Sequence, residues 1–134
     1  MINVIVLIPT LSGIVKTELR QLDDVNTIDG VRQLNDIVGG YIEVVRIAKD
    51  CVFIVNEEGA LDPDRILNTT ASTFYPGDIY GVVVAAGIEN RTDGGYIVDC
   101  PKHFYDSIYS EMHVTISRAL TDYIKKHENG GILS

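Results

Sequence analysis

The segment from Val38 to Gly59, VGGYIEVVRIAKDCVFIVNEEG, constrains the fold of this chain more than any other. YIEVVRI and CVFIVN are rich in β-branched residues, which fit a pleated surface, and only Ala48, Lys49 and Asp50 separate them. That spacing predicts a tight antiparallel hairpin, and the apolar content of both runs predicts central strands. A helix should end where the hairpin begins. Thr27 is a good N-cap, Ile28, Val31, Leu34, Ile37 and Val38 recur at helical spacing, and Gly39 supplies a left-handed stop. At the far end NEEG turns the chain.

INVIVLIP and IVKTELRQL flank a turn closed by Ser12 and Gly13, which predicts another hairpin with Val15, Thr17 and Leu19 on one face. LDPDRILNTTASTFYPG contains two prolines and no sustained period, so it reads as a long structured loop with at most one helical turn. DIYGVVVAAGI, the polar tip ENRTDGG and YIVDC form a third hairpin pattern. Pro101 suits a first helical position, and apolar residues keep helical register from Phe104 to Ile124 until Gly130 and Gly131. The predicted fold is α+β: a mainly antiparallel sheet of about six strands, one short helix and one long C-terminal amphipathic helix. With 134 residues, 46% of them hydrophobic, the chain suffices for one core and a single domain, 1–134, with a flexible tail at 128–134.

The terminal helix has a wide apolar stripe. Tyr105, Tyr109, Met112, Ile116, Ala119 and Tyr123 follow a four-three alternation, while Phe104, Ile108, Leu120 and Ile124 form a flank beside it. One flank can cover the sheet and the other meet a second subunit, so the first set is the expected interface of a homo-oligomer. A single broad face on one core is the alternative.

Net charge is −8 and the sequence pI about 4.7. Holding duplex nucleic acid by its phosphates needs a concentrated cationic face, so duplex binding is excluded as the expectation. DNA mimicry is disfavoured too, because the acidic residues are interspersed with eleven Lys and Arg. The apolar run Ile2 to Ile8 is far short of the roughly 20 residues of a membrane helix and lacks a basic leader, so no membrane association is expected. Cys51 and Cys100 lack CxxC spacing and read as reduced thiols, which places the protein in the cytoplasm. The sequons at Asn68 and Asn90 then carry no glycan.

Chemistry-bearing motifs are sparse. His103, His113 and His127 sit on or near one helix with no accompanying nucleophile motif, and their spacing does not converge on a metal ion. Gly39 and Gly40 precede a strand, whereas phosphate-cradling glycines follow a strand and open a helix. No catalytic residue, metal or cofactor is therefore expected. What remains is a polar loop on a rigid sheet, the usual location of binding sites. Glu57 and Glu58 with Asp62 and Asp64 form the densest acidic patch, readable as a solvated turn or as a contact surface. Arg65 offers a planar cationic fork beside Asn68, Thr69 and Thr70, a combination suited to phosphate or ribose. Tyr41, Phe74, Tyr75 and Tyr80 are aromatic surfaces able to stack a base.

VGGYIEVV, an apolar strand ending in NEEG, a Leu-Asp-Pro loop and DIYGVVVAAG together resemble domain-of-unknown-function family 3846, small proteins of phages and mobile elements. The resemblance covers most of the chain. The family's VGGYIE falls on Val38 to Glu43 and its NEEG on Asn56 to Gly59. Its usual Leu-Pro-x-Asn-Arg becomes Leu61, Asp62, Pro63, Asp64 and Arg65, so Asp64 replaces the usual amide by a carboxylate. The resemblance implies an accessory protein in a bacterial host cytoplasm, a setting in which small proteins commonly blunt host defence, some as sponges for nucleotide immune signals.

The resulting expectation is a non-enzymatic, anti-defence binder of a small nucleotide-like ligand, a sponge for a nucleotide-derived bacterial immune signal. Its expected contacts are Tyr41, Asn56, Glu57, Glu58, Arg65, Asn68, Thr69, Thr70, Phe74 and Tyr80. The alternative is an acidic protein-protein inhibitor of a host or phage enzyme. A third reading, a signal-degrading hydrolase, would require Glu57 or Glu58 to act without an evident partner.

Overall fold

Three apolar runs, VIVL, CVFIV and VVAAG, do not alternate between apolar and polar residues, and the architecture explains why. In the computed structural model, which describes residues 1–92 and 94–109, each run is a strand buried on both faces. The elements are β1 (Ile2–Pro9), β2 (Val15–Leu22), α1 (Ile28–Val38), β3 (Ile42–Ala48), β4 (Cys51–Asn56), a 3-10 turn (Gly59–Leu61), α2 (Thr69–Thr73), β5 (Val83–Arg91) and β6 (Gly94–Val98). Residues 102–109 are helical.

All strand pairs are antiparallel, and the order is β2-β1-β5-β4-β3, with β6 also on β5. Ala85 pairs with both Ile5 and Phe53, and Gly87 with both Cys51 and Val98. Hence β4 lies along one edge of β5 while β1 and then β6 share the other. Side chains alternate between the two faces of the sheet. Val4, Val6, Val52, Ile54, Val84 and Ala86 pack with Leu34 and Val38 of α1, and Ile5, Leu7, Phe53, Val83 and Ala85 pack with Ala71, Phe104 and Ile108.

The predicted first helix forms with the predicted ends. The Thr27 side chain accepts from the Gly30 amide at 3.0 Å, and Gly39 has φ +83°. Three expectations change. First, β3 is an edge strand rather than a central one: among the described residues it pairs with β4 alone, and its Glu43 and Arg46 are exposed. Charged residues on an edge cost nothing in burial and discourage further pairing. Second, Leu19 shares a face with buried Val15 and yet is 66% exposed, because β2 is the opposite edge and Leu19 lines an open cleft there with Lys102 and Tyr105. Third, helical structure in the C-terminal part is established only for residues 102–109, so the long terminal helix, with Met112, Ile116, Tyr123 and the tail 128–134, falls outside the described residues. Within that stretch Phe104 and Ile108 are buried against the sheet, Tyr105 is half-buried and Tyr109 is exposed, the two tyrosine rings stacking at 6.4 Å.

Candidate functional site

The end of α1 builds the first wall of a cleft. The Asn35 carbonyl accepts the amides of both Gly39 and Gly40, at 2.9 and 3.0 Å, and the left-handed turn at Gly39 throws Tyr41 outward, where it is 78% exposed. Asn56, at the end of β4, fastens this wall to the NEEG turn. Its amide donates to the Val38 carbonyl at 3.3 Å and its carbonyl oxygen accepts from Glu58 N–H at 2.8 Å, while Glu57 N–H donates to the Tyr41 carbonyl at 2.8 Å. A glycine at Gly40 suits this fit, since a Cβ there would lie 2.9 Å from the Asn56 amide nitrogen and would push that side chain aside. The 3-10 turn then swings Leu61, 79% exposed, and Asp62 to face Tyr41 and Glu58.

The result is an open cleft of about 420 Å³ between the glycine stop, the NEEG turn and the Leu-Asp-Pro loop. Its chemistry is distinctive. Glu58 and Asp62 bring carboxylates, Tyr41 and Leu61 bring apolar surface, and no cationic side chain lines it among the described residues. Such a site accepts hydrogen bonds and stacks a planar group, and carboxylates disfavour a bare phosphate in its interior. Arg65 lies outside the lining. Its guanidinium stands over the Tyr80 ring at 5.2 Å and reaches the Asp62 carbonyl at 3.5 Å, so it sits exposed beside the cleft.

The remaining expected contacts separate. Asn68 is fully buried: its amide donates to the carbonyls of Leu7 and Gly81 at 3.1 and 2.9 Å, and its oxygen caps α2 through Ala71 N–H. Thr70 is 4% exposed, Thr69 donates to the Gly13 carbonyl, and Phe74 packs on Phe104 at 5.1 Å between centroids. These four hold the loop onto the sheet rather than facing the cleft. Glu57 is exposed on the turn. Tyr41, Asn56 and Glu58 line the cleft, and Arg65 with Tyr80 stands next to it. Leu61 and Pro63 were not among the expected contacts; their only signal was membership of the Leu-Asp-Pro motif.

Elsewhere, His103 and Asp50 meet at 2.7 Å, a bond that holds the Asp50 carboxyl below its usual range. No cluster of three or more His, Cys, Asp or Glu suited to a metal occurs among the described residues. No helix among them is long and apolar enough to cross a membrane. The model of one protein family, described as Domain of unknown function (DUF3846), matches residues 4–112. No curated protein and no solved structure matches.

Proposed function

The chain belongs to the DUF3846 family, and we propose that it is a non-enzymatic binding protein whose small ligand lodges in the cleft beside Tyr41. One observation carries this reading. VGGY lies well before NEEG and the Leu-Asp-Pro loop, which follow one another in sequence, and these three segments, all part of the family resemblance, meet around a single concavity. Its lining supports a nucleotide-like ligand bound base-first. The base stacks on Tyr41, its N–H groups donate to Glu58 and Asp62, and its phosphate extends toward Arg65 at the rim. In this reading the protein is an accessory of a phage or mobile element that sequesters a nucleotide-derived immune signal without consuming it.

Isothermal titration against cyclic dinucleotides and cyclic ADP-ribose derivatives tests the proposal. We expect saturable heat for at least one compound, recovery of that compound intact after the protein is denatured, and a loss of at least about tenfold in affinity for Tyr41→Ala and Glu58→Gln. Absence of heat across the panel at micromolar protein sinks the reading, and recovery of a degraded compound converts it to the hydrolase.

A second reading, a protein-protein inhibitor, rests on β3. Among the described residues this strand pairs on one side only, with β4, and its Val44 is 47% exposed. An edge of this kind can accept an added strand. A host polypeptide that is retained by the wild type and released by Val44→Lys favours this reading over the first.

A further inference from the structure

Cys51 and Cys100 belong to different hairpins, and the fold brings their side chains together. Cys51 opens β4 and is completely buried. Its register partner on β5 is Gly87, which pairs on its other side with Val98 of β6. At Gly87 the missing side chain matters, because a Cβ would overlap the Asp99 carbonyl oxygen. The chain leaving β6 folds back over this glycine, and Cys100 N–H then donates to the Asn3 carbonyl at 2.8 Å. That path places Cys100 in the apolar cluster of Cys51, Phe53 and Phe104.

A second tie holds the same two segments. Asp50, immediately before Cys51, bonds His103, three residues after Cys100, at 2.7 Å. The thiols are also inequivalent in access. Cys51 is sealed, whereas Cys100 is half-buried and lines a second cleft, of about 240 Å³, with Leu19, Lys102 and Tyr105.

We propose that Cys100 and Cys51 form a reversible redox pair in which a hydroperoxide oxidises Cys100 and Cys51 then closes an intramolecular disulfide. The ionisation of the pair agrees with this division. The side-chain hydrogen bond with Cys51 lowers the Cys100 thiol from its ordinary value, against the opposing effects of burial and the Asp50 charge. The same bond, followed by burial, raises the Cys51 thiol. The more accessible sulfur is thus the one that forms thiolate, the reactive species. Its attack on the peroxide breaks the O–O bond and releases water or an alcohol, leaving a sulfenic acid at Cys100. The Cys51 sulfur then displaces the hydroxyl, which departs as water with the Cys51 proton. Two thiols are oxidised to one disulfide and one peroxide is reduced, and a dithiol reductant reverses the bond by exchange. The bond pins the start of the terminal helix to the beginning of β4.

The test is a titration of the full-length reduced protein with hydrogen peroxide, read by intact mass and thiol count. The expected product is a monomer lighter by two hydrogens, with both of its two cysteines lost to thiol reagent, a crosslinked Cys51–Cys100 peptide, and recovery on dithiothreitol. Its unfolding midpoint should rise by roughly 5–10 °C, since the bond closes a long loop. In Cys51→Ala, Cys100 should gain one oxygen and react with dimedone, and in Cys100→Ala the remaining thiol should oxidise at least about tenfold more slowly. The wild-type result does not depend on either variant folding. A wild-type protein that keeps both thiols, that over-oxidises at Cys100 without crosslinking, or that forms only intermolecular disulfides overturns the proposal.

Discussion

Asn68 shows what a single residue can conceal. In sequence it stands in a polar loop, within a sequon and beside two threonines, and every local signal points to the surface. The amide instead satisfies two carbonyls, one on β1 and one after Tyr80, and caps α2, so the loop is ordered from the inside. Pairing with groups distant in sequence is what makes such burial tolerable, and distant pairing is invisible to local patterns. Thr27 and Gly39 were legible for the opposite reason: a cap and a left-handed stop act within one helical turn. Asn68→Ala strands buried carbonyls and removes a cap, and should cost about 2–4 kcal/mol by denaturant unfolding. Asn68→Asp keeps the cap but sets a buried charge against the Leu7 and Gly81 carbonyls that the amide had satisfied, and should cost at least as much. If either variant matches the wild type in stability while losing ligand affinity, Asn68 is a contact residue after all.

At the level of elements, hairpins and helix ends followed from β-branched runs and punctuation, whereas their neighbours did not. The identity of the edge strand depends on where β5 enters the sheet, and β5 lies more than twenty-five residues beyond β4. The cleft is hidden for the same reason, since its walls meet only after β3 and β4 pair and the 3-10 turn closes. Helix α1 carries a testable case in Gly30. Glycine within a helix ordinarily costs up to about 1 kcal/mol relative to alanine, so propensity alone favours Gly30→Ala by that amount. Here Gly30 is buried, and a Cβ would overlap the Asp24 carbonyl and the Val25 backbone at the entry to the helix. Overlap with backbone outweighs propensity. Gly30→Ala should therefore lower stability by roughly 1–3 kcal/mol, measured by chemical denaturation. An increase in stability would show that the α1 entry relaxes freely.

For the whole molecule, two electrostatic effects oppose each other as pH falls. A formal charge of −8 at pH 7 repels itself, and that repulsion fades on approach to the sequence pI of about 4.7. Against it, three carboxyls are held below their usual values: Glu18 by Lys16 and Arg20, Asp24 by the backbone and side-chain amides of Asn26, and Asp50 by His103. A lowered carboxyl binds protons less readily folded than unfolded. Its stabilisation is present above the ordinary values of 4.5 for Glu and 3.8 for Asp, and disappears as pH falls through the folded values. Relief of repulsion is nearly complete before that loss begins, so the melting temperature should peak near pH 5 and fall steeply below about pH 4. Replacing both Asp24 and Asp50 by Asn should lower the plateau and flatten the acid limb, because the substituted groups no longer titrate. Salt separates the two effects: roughly 0.5 M NaCl should raise the melting temperature at pH 7, where repulsion dominates, and change it little at pH 5. A lower melting temperature in salt at pH 7 would mean that local pairs such as Lys16–Glu18, at 2.9 Å, contribute more to stability than the net charge removes.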